Sequence, residues 1–329
     1  MSHKINSKIV VLGTGGTIAG LSTQAENPAI YKSGQLGVAD LVQQAGLSQA
    51  QIEFEDIARI DSKNIGLSVW QTLYKAIFAA QSRADVCAVV VTHGTDTLEE
   101  TAFLLEAMGP WPKPVIMTCA MKPADHPQAD GPVNLQDALL LARTSGLQGI
   151  FVVFNGQAHH AFHVQKISTN ETHAFSSGPA GVAAAKTGTA WDLRYANIET
   201  RSFNKPSTAY FLKQTQWPRV EWLTHHAAIG SDGIDALLYP SKPASQALRG
   251  LVVAGTGAGT FKPEWEDALL RAVSSGVEVW ISSRCAWGRA LPQAQQEIGV
   301  LTDLPPAKAC MALALSVMQQ DEKKSALQS

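Results

Sequence analysis

Apolar residues gather along this chain in short continuous runs at 9–12, 86–91, 115–118, 149–154, 251–254 and 277–282. Continuous runs of this length read as strands covered on both faces, the habit of a parallel sheet. The stretches between them have a helical period. In "LSVWQTLYKAIFAAQS" (67–82), Val69, Leu73, Ile77 and Ala80 share one face; "TLEETAFLLEAM" (97–108) and "VNLQDALLLARTSG" (133–146) behave similarly. Strand–helix–strand alternation predicts an α/β fold with helices on both faces of the sheet.

The rhythm lapses once. "RSFNKPSTAYFLKQTQWPRVEW" (201–222) has two prolines, mixed polar residues and no clean period, and the βα pattern resumes after it. The expected organisation is therefore a larger N-terminal domain, 1–200, with a mostly parallel sheet flanked by helices. A linker, 201–222, and a smaller C-terminal α/β domain, 223–329, follow. The polar tail "QQDEKKSALQS" is expected to fray.

Composition narrows the class. The chain has 329 residues, 45% hydrophobic and 16% charged, with a formal net charge of -2. That is a globular protein with a sizeable core and no basic surplus, so neither nucleic acid nor an anionic membrane is an expected partner. No run approaches the ~20 apolar residues of a membrane span. The N-terminal stretch offers only the apolar run 9–12, short of the roughly 7–15 of a secretory segment. A soluble, cytoplasmic protein is expected. Cys87, Cys119, Cys285 and Cys310 form no CxxC pair and read as buried reduced thiols.

The first candidate for chemistry is "VVLGTGGTIAGLS" (10–22). A dinucleotide fingerprint, GxGxxG, would use Gly13 and Gly15, but its third position is Ile18. No Gly-Lys-Ser/Thr follows, so the P-loop pattern fails too. Two readings remain. The glycines bare the backbone around Thr17, setting a hydroxyl nucleophile beside N–H groups able to hold an oxyanion. Alternatively, Thr17 merely closes a turn.

The second is "VCAVVVTHGTDTLEETAFLLE" (86–106): a buried strand, a polar loop and a helix. Thr97 and Glu100 fit a capping box, so the helix is expected to start just after Thr97. Thr95 and Asp96 then stand between strand end and helix start. Strand exits in an open parallel sheet line one crevice, so both loops can share a site. A threonine nucleophile needs a base, which a lysine can supply if burial lowers its pKa. Asp96 either binds an ammonium group or serves the turn. His93 is read as structural.

"GTGGTIAG" (13–20) and "VTHGTDTLEETAFLL" (91–105) resemble the two signature segments of the bacterial-type L-asparaginase/glutaminase family. "AMKPADHPQADGPVNLQDAL" (120–139), "GVADLV" (37–42), "AGTGAGTF" (254–261) and "SSR" (282–284) extend the resemblance over essentially the whole chain. It implies an amidohydrolase converting L-asparagine, with L-glutamine as alternative, to the acid and ammonia, without a cofactor. It also implies a homodimer or homotetramer. By position, the nucleophile falls on Thr17 and the loop tyrosine that activates it on Tyr31. The serine for the substrate α-carboxylate falls on Ser62. The second threonine and the aspartate that holds the α-ammonium fall on Thr95 and Asp96, and the partner lysine on Lys166, in "HVQKISTNETHAF". Oxyanion charge would rest on backbone N–H groups near Gly16 or on Thr95.

Two departures weaken the implied recognition of the α-amino group across the dimer. Ala258 stands where secreted, high-affinity members have asparagine. The segment after "SSR", "CAWGRALPQAQQEIGV", is shortened, with Glu297 its only acid. A different class, a non-catalytic amino-acid-binding protein on the same fold, stays open. His159 and His163 have the i, i+4 spacing of a helical metal pair, but no acidic third ligand lies nearby, so no metal is expected.

Overall fold

A computed structural model describes residues 7–24, 30–46, 48–144, 146–193, 201–238, 247–292 and 298–328. The chain divides into two compact units, Met1–Thr200 and Arg201–Ser329.

In the first unit β1 (Lys8–Gly15) precedes the antiparallel pair β2 (Leu21–Ser22) and β3 (Tyr31–Lys32). Then come α1 (Val38–Gln44), β4 (Ile52–Ile60), α2 (Leu67–Gln81), β5 (Val86–Thr92), α3 (Leu98–Met108), β6 (Val115–Thr118), α4 (Gly131–Ala142) and β7 (Ile150–Phe154). Short strands follow: β8 (Gln157–His160), β9 (Gln165–Lys166), β10 (Phe175–Ser176), β11 (Ala184–Thr187) and β12 (Ala190–Leu193). Eight strands form one sheet in the order β12-β11-β8-β7-β6-β5-β1-β4. From β4 to β7 the neighbours are parallel, while β8, β11 and β12 extend the sheet antiparallel.

The central strands are buried on both faces, which is why their apolar runs are unbroken. Ile9 and Val11, Ala88 and Val90, Ile116, and Phe151 and Val153 pack on one face with α1 and α4. The intervening residues, such as Leu12, Val89, Val91 and Val152, are equally buried and face the other way. There α2 packs Leu73, Ile77 and Ala80, as its period predicts, together with Trp70 and Tyr74. Chain order runs outward from β1 in both directions, to β4 on one side and β5 on the other. At such a reversal the connections leave to opposite faces, opening a crevice at the carboxyl ends of β1 and β5.

The second unit holds α5 (Thr208–Lys213), β13 (Val220–Thr224), α6 (Asp232–Leu238), β14 (Gly250–Gly255), α7 (Pro263–Ser274), β15 (Glu278–Ser283), β16 (Val300–Leu301) and α8 (Pro306–Gln328). Residues 201–222, read above as a linker, thus carry a helix and the start of a strand. The helix starts at a capping serine: Ser207 Oγ accepts from Tyr210 N at 3.2 Å, and Ser207 N donates to Glu322 Oε2 of α8 at 2.7 Å. The four strands are parallel in the order β13-β14-β15-β16. α6 and α7 cover one face through Ile234, Trp265 and Leu269. α8 presses so close to β14 that a Cβ on Gly250 would lie 2.7 Å from Leu313 Cδ2.

No described helix is long and apolar enough to cross a membrane. Cys119 is buried as expected, but Cys87 and Cys310 are half-buried and Cys285 is exposed.

Candidate active site

β1 ends in a backbone that only glycine adopts comfortably. Gly15 has φ 97° and Gly16 φ 80°, and a short 3-10 turn, Thr17–Ala19, follows. The glycines also answer a packing demand. A Cβ on Gly16 would lie 2.3 Å from Gly94 Cα, and one on Gly94 would lie 2.6 Å from Ser62 Oγ. The loops after β1 and β5 therefore meet backbone to backbone, with the Ser62 side chain of the loop after β4 packed on Gly94. Gly16 N donates to Ile60 O at 2.8 Å, which commits its N–H. Thr17 is held at this junction, 7% exposed.

Tyr31 is brought back over Thr17 by the β2–β3 pair, in which Ser22 lies opposite Tyr31 and Leu21 opposite Lys32. Gln35 N and Leu36 N both donate to Ala19 O, at 2.6 and 3.0 Å. On the other side Ser22 N and Ser22 Oγ donate to the Asp125 carboxylate, both at 2.9 Å. These bonds, the Ser22 amide first, hold the Asp125 carboxyl below its ordinary range. Thr17 Oγ1 and Tyr31 Oη are 2.8 Å apart and hydrogen-bonded. Tyr31 also lines a cavity of about 590 Å³ with Arg59, Asp61, Lys63 and Asn64.

The loop after β5 contributes the second group. Lys166 Nζ donates to Thr95 Oγ1 at 2.9 Å and to Asp96 Oδ1 at 2.6 Å. Thr95 is buried, the Asp96 side chain is 55% exposed and that of Lys166 18%. Lys166 reaches them from β9, whose backbone is fastened to α3: Lys166 N donates to Glu99 Oε2 at 2.5 Å. Ser62, 4% exposed, begins the 3-10 turn after β4. α3 starts at Leu98 as expected, but Thr97 makes no capping bond with its side chain. Its hydroxyl donates to Ser62 O at 2.9 Å, tying the Ser62 turn to the Thr95 loop.

His93 supports the same loop from beneath. Its Nδ1–H donates to Gly94 O at 2.8 Å, the carbonyl being an acceptor only. Nε2 then accepts from the Thr101 hydroxyl at 3.1 Å, and that oxygen accepts from Trp70 Nε1 at 3.0 Å. Complete burial pushes the imidazole down to about 4, so the ring is neutral near pH 7.

All six residues picked from the sequence lie in the first unit. Thr17 touches Tyr31; Thr95, Asp96 and Lys166 form one cluster; Ser62 joins the two through Gly94 and Thr97. Glu99 and Asp125 were not foreseen, since an acid in a first helical turn and one in a polar loop carry no distinctive signal. Among the described residues no group of three or more His, Cys, Asp or Glu could hold a metal ion. His159 lies on strand β8, where its Nδ1 pairs with Ser177 Oγ at 2.9 Å, so the helical metal pair does not form. In the second unit Ala258 sits in the turn bridged by Thr256 and Thr260. Glu297 lies outside the described residues.

Two family models match, the N-terminal asparaginase domain over residues 8–199 and the glutaminase/asparaginase C-terminal domain over 219–328. L-asparaginase 2 of Bacillus subtilis is 32% identical over 321 residues, spanning 95% of this chain and 83% of that protein. A glutaminase-asparaginase of Pseudomonas fluorescens biotype A is 30% identical over 333 residues, spanning 97% and 88%. Among solved structures, a probable cytoplasmic L-asparaginase from Campylobacter jejuni superposes with a TM-score of 0.81 at 31% identity, covering 98% of this chain and 100% of that one.

Proposed function

Because the chain belongs to the asparaginase/glutaminase family, we propose that it hydrolyses the side-chain amide of L-asparagine to L-aspartate and ammonia, with Thr17 as nucleophile. The hydrogen bond of 2.8 Å between Thr17 Oγ1 and Tyr31 Oη carries this reading. A threonine hydroxyl is a weak nucleophile until a neighbour takes its proton. In the proposed first step Thr17 Oγ attacks the amide carbon and its proton passes to the Tyr31 oxygen. Tyr31 yields its own proton to the amide nitrogen, the C–N bond breaks and ammonia leaves. Water then attacks the Thr17 ester, releasing aspartate and restoring the hydroxyl.

The other residues fit a zwitterionic substrate. Ser62 donates to the α-carboxylate, and the exposed Asp96 carboxylate, with one oxygen on Lys166, accepts the α-ammonium through the other. The Gly16 N–H is taken by Ile60 O, and in this reading the Thr95 hydroxyl donates to the developing oxyanion. Lys166 donates to the Thr95 oxygen, and the 3.4 Å from that oxygen to Asp96 Oδ1 is too long to hold the hydroxyl proton firmly. Removing one such donor typically costs about 2.7–4 kcal/mol in the barrier.

L-glutamine is the alternative substrate, supported by the likeness to a glutaminase-asparaginase. A cytoplasmic location and a homodimer or homotetramer complete the proposal; the first is supported by the name of the Campylobacter protein, the second is read by light scattering. The deciding measurement is ammonia release from asparagine and glutamine by wild type and Thr17→Ala. A loss of about 10³-fold or more in kcat, with unchanged melting, is expected of the variant. Undiminished release would remove Thr17 from its role. Saturable asparagine binding by wild type without any ammonia would favour the non-catalytic amino-acid-binding alternative.

A further inference from the structure

We propose that Glu99 is a positioning residue for the reaction: its carboxylate fixes the backbone of Lys166, and so sets where the lysine ammonium stands against Thr95. The assignment rests on the amidase reading of the same site. Residue 166 is tied through its side chain and its backbone to one short segment, 95–99. Its Nζ donates to Thr95 Oγ1 at 2.9 Å and Asp96 Oδ1 at 2.6 Å, and its backbone N donates to Glu99 Oε2 at 2.5 Å. Thr95 and Asp96 stand just before α3 and Glu99 in its first turn, so the three anchors belong to one short stretch of chain.

The strand pairing of β9 leaves the amide of Lys166 to Glu99. β9 has two residues and, among the described strands, pairs with β10, Lys166 opposite Phe175 and Gln165 opposite Ser176. In that pair Ile167 N donates to Ala174 O at 2.7 Å. Successive amides of a strand point to opposite edges, so Lys166 N points away from β10, the side on which Glu99 meets it. An ionised acceptor makes this bond stronger than a neutral one, and the first turn of a helix is where a carboxylate is most at ease. A lysine side chain carries about 2 kcal/mol of rotamer entropy, so without a fixed Cα its ammonium samples many positions. A 1 Å misplacement of a reacting group can cost about 10²-fold in rate.

The experiment is a mutant cycle on the full chain, read as ammonia release from asparagine. Glu99→Asp keeps the charge and the helix preference but shortens the reach; Glu99→Leu removes the acceptor; Glu99→Gln keeps an acceptor oxygen at full length. The Asp and Leu variants should lose at least tenfold in kcat with KM within about threefold of wild type, and the Gln variant should exceed both by about tenfold in kcat. In a Lys166→Met background, Glu99→Asp should change kcat by less than about twofold. Three results would overturn the inference: wild-type kcat in a folded Asp variant, no recovery with Gln, or an undiminished effect of Glu99→Asp without the lysine. Should Lys166→Met alone turn over like wild type, the role of Lys166 in the reaction itself fails, a result that does not depend on position 99. Glu99→Asp and Glu99→Gln keep a polar side chain of similar size, so the test stands even if Glu99→Leu does not fold.

Discussion

A methyl group on Gly16 would overlap Gly94 Cα at 2.3 Å, in a backbone whose φ of 80° already strains any side chain. Neither neighbour can yield, because both contact atoms belong to main chain. Gly16→Ala is therefore expected to cost about 2 kcal/mol or more of stability and to push the Thr17 and Thr95 loops apart. Urea unfolding measures the first effect, and a loss of kcat exceeding the fraction unfolded measures the second. A fully active, equally stable variant would mean the loops do not depend on this contact. The failure of the phosphate-binding spacing at Ile18 is plain from sequence, and with it the conclusion that the glycines serve something else. That Gly16 presses on Gly94, 78 positions on, is tertiary information that no local pattern contains. Thr97 is similar: its spacing to Glu100 fits a capping box, but Ser62 O is close enough to take the hydroxyl proton instead.

At the level of elements, the β2–β3 pair carries Tyr31 on very few strand bonds, and Asp125 supplies the anchor at its base through Ser22. Asp125→Ala removes that anchor while leaving Thr17, Tyr31 and the large sheet untouched. It is expected to lower kcat about tenfold with little change in melting; a proportional fall in both would mark Asp125 as a purely structural residue. The elements legible in the sequence are those buried on two faces. β1, β5, β6, β7, β14 and β15 each contain a continuous apolar run. β4 escapes that rule because it is the outer strand of its sheet, its residues Glu53, Phe54 and Glu55 polar or exposed. Strands β8 to β12 are short and of mixed polarity. Lys166, which stands on one of them, is reached only by resemblance to a family, and Glu99 has no signal of its own because its partner is a backbone amide.

For the molecule as a whole, acid sensitivity should come in two separable parts. Burial holds His93 at about 4 against an ordinary 6.5. Above about 6.5 the ring is neutral folded and unfolded. As pH falls toward 4 the unfolded chain takes up a proton that the folded chain refuses, so stability declines by on the order of 3 kcal/mol and then levels off. Farther down lies an exposed network at the amino end of the large sheet. Arg83 first, and Lys8 after it, hold both Glu53 and Asp85 at about 2. That contribution is present above the ordinary carboxylate range and is lost as pH falls toward 2. Salt should weaken the second part, whose charges meet solvent, and spare the first, whose ring does not. Melting curves from pH 7 to 2.5 at low and high salt, with His93→Gln alongside, check this; an unchanged slope between 6.5 and 4 in the variant would clear His93.

The crevice itself is readable from sequence on this largest scale, since both threonine motifs follow buried parallel strands. The meeting of Gly16 with Gly94 has a further consequence for how such a protein can diversify. Two surfaces that touch without side chains offer no larger pair that would restore the spacing, so neither glycine can drift alone and exchanging both only widens the gap. Novelty in what the crevice accepts is channelled to its rim, to positions such as Lys63 and Asn64 beside Tyr31. There a side chain can be exchanged without re-spacing the loops beneath.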